Sequence, residues 1–166
     1  KVYAPLIIQT ETEYDQFHAT YNKEDFIYQE YIWGESRYLL YYFTKRGEFY
    51  KFSQVNYAQQ PLGKSIVIAA CSDLHLNSDV SGMYEKIFTD MKYYGFVMIE
   101  VRYREGVNYM IEANPRFWGP SQLFCNAGYN FFEIFLHEYG YLEELALDNI
   151  NMQATYMWSG GIVGEL

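Results

Sequence analysis

Two alternating segments joined by a short turn constrain this chain more than any other feature. Phe96-Val97-Met98-Ile99-Glu100-Val101-Arg102-Tyr103 and Val107-Asn108-Tyr109-Met110-Ile111-Glu112-Ala113-Asn114 flank Arg104-Glu105-Gly106, where Gly106 is free to take positive φ. The pattern predicts an antiparallel hairpin. Side chains alternate across a strand, so Val97, Ile99, Val101, Tyr109, Ile111 and Ala113 share an apolar face made for packing. Met98, Glu100, Arg102, Met110, Glu112 and Asn114 share the other. An odd-length turn places Glu100 opposite Met110 with Glu112 diagonal to it, roughly 7–8 Å away at the backbone, so the two carboxylates converge. Converging carboxylates repel unless something positive lies between them, and oxygen ligands of this kind suit Mg²⁺ or Mn²⁺. An even-length turn would put Glu100 and Glu112 on opposite faces and remove that expectation. Taken alone, the hairpin also reads as a half-exposed one with a merely polar outer face.

The rest of the chain supplies the setting. Its 166 residues suffice for one domain with a real core. Residues 1–9 read as a short strand, and a helix from about Glu11 to Tyr21 follows the capping signal Thr10…Glu13. It buries Tyr14, Phe17, His18 and Tyr21 on one side. Strands are expected at 26–32, 38–43, 49–57 and 66–70, with Lys45-Arg46-Gly47 turning the chain between the second and third. A helix from Ser78 to Tyr94 stops at Gly95. Two short helices, 121–127 and 130–139, close at Gly128 and Gly140. The tail beyond Asn151 reads as loop and poorly ordered end.

Composition excludes several classes. The formal charge is −9, and a bare acidic surface repels nucleic acid and anionic membranes, so neither is expected as a partner. No apolar run approaches the ~20 residues of a membrane span, and no leader opens the chain. Two distant cysteines, Cys71 and Cys125, imply neither a zinc site nor a disulfide framework, and a reduced cytoplasmic setting is expected. Gly63-Lys64-Ser65 lacks the earlier glycine of a P-loop, since Ala58 stands in its place. Asp73, His75 and Asp79 read as a polar loop, Glu143 and Glu144 as a solvated helix face. The 19 tyrosines suit amphipathic clefts and interfaces.

What gives the hairpin its meaning is the stretch that follows it. Glu112-Ala113-Asn114-Pro115-Arg116-Phe117-Trp118-Gly119 resembles the motif of the ATP-grasp superfamily, in which a Glu and an Asn two residues later ligate magnesium. Glu100 matches the first metal carboxylate of that family, and its twelve-residue offset to Glu112 is similar to the biotin-carboxylase-like branch. Tyr28 to Glu35 looks like the hinge strand whose backbone pairs with adenine. Pro61-Leu62-Gly63-Lys64-Ser65 falls where such proteins carry a Gly-containing loop, and Ala127 to Phe131 where the helix breaks after the motif.

The resemblance implies an α+β ATP-grasp fold fragment, an antiparallel sheet with helices packed on one face. Residues 1–32 would be the remnant of the small lid lobe and residues 33–166 the large lobe with the metal site. Glu100, Glu112 and Asn114 would bind one or two Mg²⁺ (or Mn²⁺) ions bridging the ATP phosphates, and Arg116 would contact a phosphate or the acyl-phosphate region. Gln29, Glu30 and Ile32 would line the adenine edge. Glu35, or Ser36 if the register slips by one, would face the ribose, and Met98 and Met110 would pack under the purine. The implied reaction is attack of a small carboxylate on the ATP γ-phosphate, followed by displacement of phosphate by an amine or similar nucleophile. The family's phosphate lysines, its flexible glycine-rich loop and its N-terminal substrate domain have no counterpart here. The expectation is therefore the C-terminal portion of a larger ligase, inactive alone. Two rivals are a degenerate module that binds nucleotide without turnover, and a tyrosine-rich ligand-binding domain, for example for sugars, in which the three oxygen-bearing side chains do not meet.

Overall fold

The computed structural model describes residues 5–60, 64–73, 76, 78–147 and 149–163. Six strands form one antiparallel sheet: β1 (Glu35–Phe43), β2 (Phe49–Gln59), β3 (Ile66–Cys71), β4 (Gly95–Arg104), β5 (Val107–Asn114) and β6 (Thr155–Met157). Their order across the sheet is β5-β4-β1-β2-β3-β6. β1 lies near the middle, and its run Tyr38-Leu39-Leu40-Tyr41-Tyr42-Phe43 is buried on both sides. A run without alternation suits a strand covered on both faces.

Helices do cover both faces, which corrects the expectation of helices on one. On the first face, Tyr38, Leu40, Tyr42, Phe52, Phe96 and Met98 pack with Leu123 and Phe124 of α3 (Gln122–Asn126) and with Phe131 and Ile134 of α4 (Phe131–Glu138). On the second, Leu39, Tyr41, Phe43, Val97, Ile99 and Val101 pack against Tyr84, Val80 and Phe88 of α2 (Asp79–Asp90). Polar contacts hold α2 there: Tyr41 Oη lies 2.9 Å from Ser81 Oγ, and Lys51 Nζ donates to Glu85 Oε1 at 2.8 Å. On the first face, the Glu138 carboxylate accepts from Tyr42 Oη and from the Lys45 amide at 2.6 Å, tying α4 to the β1–β2 turn.

The N-terminal region behaves differently. Helix α1 (Glu11–Thr20) has its full capping box, Thr10 Oγ1 accepting from the Glu13 amide and Glu13 accepting from the Thr10 amide. It buries only Phe17 among the four residues expected on its inner side. Phe17 sits in an aromatic group with Tyr21, Phe26 and Tyr28. The strand expected over 26–32 does not form, nor does one over the described residues 5–9. Among the described residues neither segment joins the six-stranded sheet. A 3-10 turn, Lys23–Asp25, precedes residues 26–32.

Two smaller expectations are also corrected. Helix α2 ends at Asp90, short of Tyr94, because Lys92 takes a positive φ of 52° and turns the chain into β4. The tail forms β6, which pairs with β3, and a short α5 (Ser159–Val163). Pro61, Leu62, Gly63 and His75 lie outside the described residues. Among the described residues no helix is long and apolar enough to cross a membrane.

Candidate metal and nucleotide site

The β4–β5 hairpin is closed by a two-residue turn, Glu105-Gly106, with both residues at positive φ (50° and 85°). That is an even-length connection, and Arg104 pairs with Val107, Tyr103 with Asn108, Arg102 with Tyr109 and Val101 with Met110. Such a register alone would separate the two glutamates. A one-residue bulge at Ile111 then shifts the ladder. Beyond it Glu100 pairs with Glu112, Ile99 with Ala113 and Met98 with Asn114. An extra residue on one strand reverses which face the following side chains take. The carboxylates converge as expected, but directly opposite one another rather than on a diagonal.

The same register corrects other placements. Met110 lies opposite Val101, whose side chain belongs to the second face, so it is not on the Glu100 side. Tyr109 lies opposite Arg102, on the Glu100 side. Glu35 pairs with Tyr103, also on the second face, and its carboxylate forms an ion pair with Arg37 Nε. Ser36, opposite Arg102, takes the place on the Glu100 face. Gly34, just before β1, allows the close approach at this end of the pairing: a Cβ there would stand 2.4 Å from the Tyr103 carbonyl oxygen.

On the Glu100 face the strands build a polar row. Glu112, Glu100, Tyr38, Gln54 and Cys71 are successive cross-strand neighbours. Glu100 is 8 % exposed. Its Oε1 accepts from Arg102 Nη2 at 3.1 Å, and the same nitrogen donates to Gln59 Oε1 at 3.0 Å. Tyr38 also hydrogen-bonds Glu100. Burial raises the Glu100 carboxyl above the ordinary carboxylate range; Glu112 pushes the same way, and Arg102 and Tyr38 oppose. Burial and the Glu100 charge push the Tyr38 phenol up. Farther along, Gln54 Nε2 donates to Asn56 Oδ1 at 2.6 Å and Asn56 Nδ2 to Ser36 Oγ at 3.0 Å. Glu112 is exposed, and its Oε1 accepts from Asn114 Nδ2 at 2.5 Å.

Glu100, Glu112 and Asn114 therefore share one corner of one face, against the tyrosine-platform rival. Among the described residues no three His, Cys, Asp or Glu side chains gather, so the donor set is two carboxylates and one amide oxygen, the last presented by turning the Asn114 amide over. Hard oxygen donors beside a carboxyl that resists ionisation fit a divalent cation, which would relieve the repulsion. Met98 is buried on this face with Trp118 and Leu123. Arg116 is exposed and donates to the Phe117 carbonyl at 3.1 Å. Gln29 and Glu30 are exposed and Ile32 half-buried, and no hydrogen bond or ion pair described here joins them to the glutamates. The sequence reading gave no role to Arg102, Tyr38 or Gln59. Arg102 was visible on the correct face, whereas Tyr38 and Gln59 required the pairing of β1 and β2 with the hairpin.

No protein-family model matches the sequence, and no curated protein matches it. Solved structures do match the fold. The biotin carboxylase domain of Hydrogenobacter thermophilus 2-oxoglutarate carboxylase, solved with MgADP, ADP and bicarbonate, matches at a TM-score of 0.53 and 15 % identity over 72 % of this chain and 27 % of its own. The ATPase subunit of phosphoribosylaminoimidazole carboxylase from Aquifex aeolicus matches at 0.57 and 11 %, over 73 % of this chain and 36 % of its own. A biotin carboxylase subunit of pyruvate carboxylase matches at 0.53 and 13 %, over 72 % and 27 %. All are ATP-grasp proteins, and the fold of this chain is an ATP-grasp fold. The chain spans about a third or less of the length of these proteins.

Proposed function

We propose that this chain is the ATP- and Mg²⁺-binding part of an ADP-forming ligase that activates a small carboxylate as an acyl-phosphate and passes it to an amine or similar nucleophile. The observation that carries the reading is the pairing of Glu100 with Glu112, set by the bulge at Ile111, with Asn114 two residues farther on the same face. The MgADP in the Hydrogenobacter structure supports it. Glu100, Glu112 and Asn114 would hold the cation, whose contribution is to neutralise the phosphate charge. Met98 and Ser36 would border the nucleotide, and Gln29, Glu30 and Ile32 would meet the adenine edge when the lid lobe of residues 1–32 closes on the large lobe of 33–166. Arg116 would turn from Phe117 to a phosphate. The contacts to the carboxylate substrate and the phosphate-binding lysines would come from an N-terminal part of the same protein.

The test is ADP release in the intact protein. Glu112→Gln should abolish it and remove the heat of Mg-ATP binding in calorimetry while circular dichroism stays unchanged. Wild-type ADP release in that variant would defeat the reading. A second reading, a module that binds nucleotide without turnover, draws on the Arg102–Glu100 ion pair, which already compensates one ligand. Mg-ATP binding with no ADP release on any carboxylate would favour it.

A further inference from the structure

The ion pair on Glu100 has a use of its own. Arg102 stands two residues from Glu100 on β4, with its side chain on the same face. Its Nη2 bridges Glu100 Oε1 at 3.1 Å and Gln59 Oε1 at 3.0 Å. Gln59 belongs to β2, and β1 lies between β2 and β4. The guanidinium therefore reaches across β1, and it does so where β1 presents Ser36, a small side chain, opposite Arg102. The contact with Glu100 is largely shielded: the side chains are 10 % and 24 % exposed. Glu112, by contrast, is exposed and bonded to a neutral amide. Arg116, the cation expected beside the carboxylates, donates instead to a backbone carbonyl.

We propose that Arg102 is an internal competitor for the divalent cation: it neutralises Glu100 with its own charge, lowers the affinity of the carboxylate pair for metal, and is held between two positions by Gln59. This rests on the metal site proposed above. A positive charge a few ångströms from a bound cation in a shielded corner opposes binding, and the guanidinium occupies an oxygen that the metal needs. Loading the pair requires Arg102 to leave Glu100, and Gln59 is the partner that keeps its second contact. The site is thereby tuned to take metal when a polyanion arrives with it, since the released guanidinium is then free to face phosphate.

The experiment is Mn²⁺ titration followed by electron paramagnetic resonance, paired with thermal unfolding with and without Mg²⁺. Arg102→Gln should bind Mn²⁺ about tenfold more tightly than wild type. It should also melt lower without a divalent cation and gain more from added Mg²⁺. Arg102→Lys, which keeps the charge, should stay within about twofold of wild type. Gln59→Ala should act with the opposite sign, weakening Mn²⁺ binding about twofold by leaving the guanidinium to Glu100 alone. Equal or weaker Mn²⁺ binding by Arg102→Gln overturns the proposal, and should that variant not fold, unchanged or tighter binding by Gln59→Ala does so. Failure of the underlying metal site has a separate signature, Glu112→Gln binding Mn²⁺ as well as wild type, and that result removes both.

Discussion

Residues 26–32 and the hairpin of β4 and β5 carry the same kind of sequence, apolar and aromatic residues interleaved with polar ones, and they end in different states. The hairpin is laddered residue by residue and buries Val97, Ile99 and Val101. The earlier segment lies outside the sheet, with Ile27 98 % exposed and Tyr28, Tyr31 and Trp33 more than half exposed. Alternation specifies a surface that fits a sheet; it does not supply the neighbour. β4 lies beside β1, whose own run is buried on both faces, and that neighbour decides the outcome. The aromatic group around Phe17 is what residues 26–32 have instead.

This contrast can be broken or sharpened by mutation. The largest effect is expected in the core that faces the hairpin: Phe124→Ala, at a fully buried position of α3, should cost about 3–5 kcal/mol in urea unfolding. Ile27→Ala should change stability by less than about 0.5 kcal/mol, and a larger loss would mean that residues 26–32 are packed in solution. Gly34→Ala tests the join between the two regions. Its Cβ would strike the Tyr103 carbonyl, so a loss of about 2 kcal/mol is expected. Thr10→Ala removes one arm of the α1 capping box and should cost about 1 kcal/mol of local helix stability, read as faster amide exchange in 11–20 with the sheet unaffected. If the sheet amides speed up equally, α1 and the sheet unfold as one unit.

The last effect is sign-specific. The folded Glu100 carboxyl titrates above its unfolded value, so its contribution to stability is complete in acid and is lost as pH rises through the raised folded value. Glu100→Gln should therefore gain on wild type at pH 7, without divalent cation, relative to pH 4. Denaturation curves that differ by the same amount at both pH values would contradict the shift.

Much of the architecture was legible because it is written in local chemistry. Thr10 and Asn130 announce helix starts, Gly128 and Gly140 announce stops, and both glycines take positive φ (74° and 75°). The hairpin, its turn region and its carboxylates were legible for the same reason. The register was not. Nothing in Met110-Ile111-Glu112 marks Ile111 as the extra residue, because a bulge is a relation between two strands and only one of them carries it. Tyr38 and Gln59 were hidden for a related reason: their nearness to Glu100 and Arg102 arises from the order β4-β1-β2, which places strands far apart in sequence side by side. The second helical face is marked only by the uninterrupted apolar run of β1, which calls for cover on both sides without naming the helix that provides it.

The bulge at Ile111 makes the site depend on a count rather than on a chemical identity. Replacing Ile111 by another residue leaves Glu112 where it is; deleting it would close the bulge and still bring Glu112 opposite Glu100 in the ladder that Val101 and Met110 share, whereas a second extra residue would turn Glu112 toward the α2 side while every proposed ligand is still present in the chain. A chain of this kind tolerates many substitutions at that position, and between its two glutamates it can lose one residue but not gain one, so its history should record point changes there and exclude insertions of a single codon.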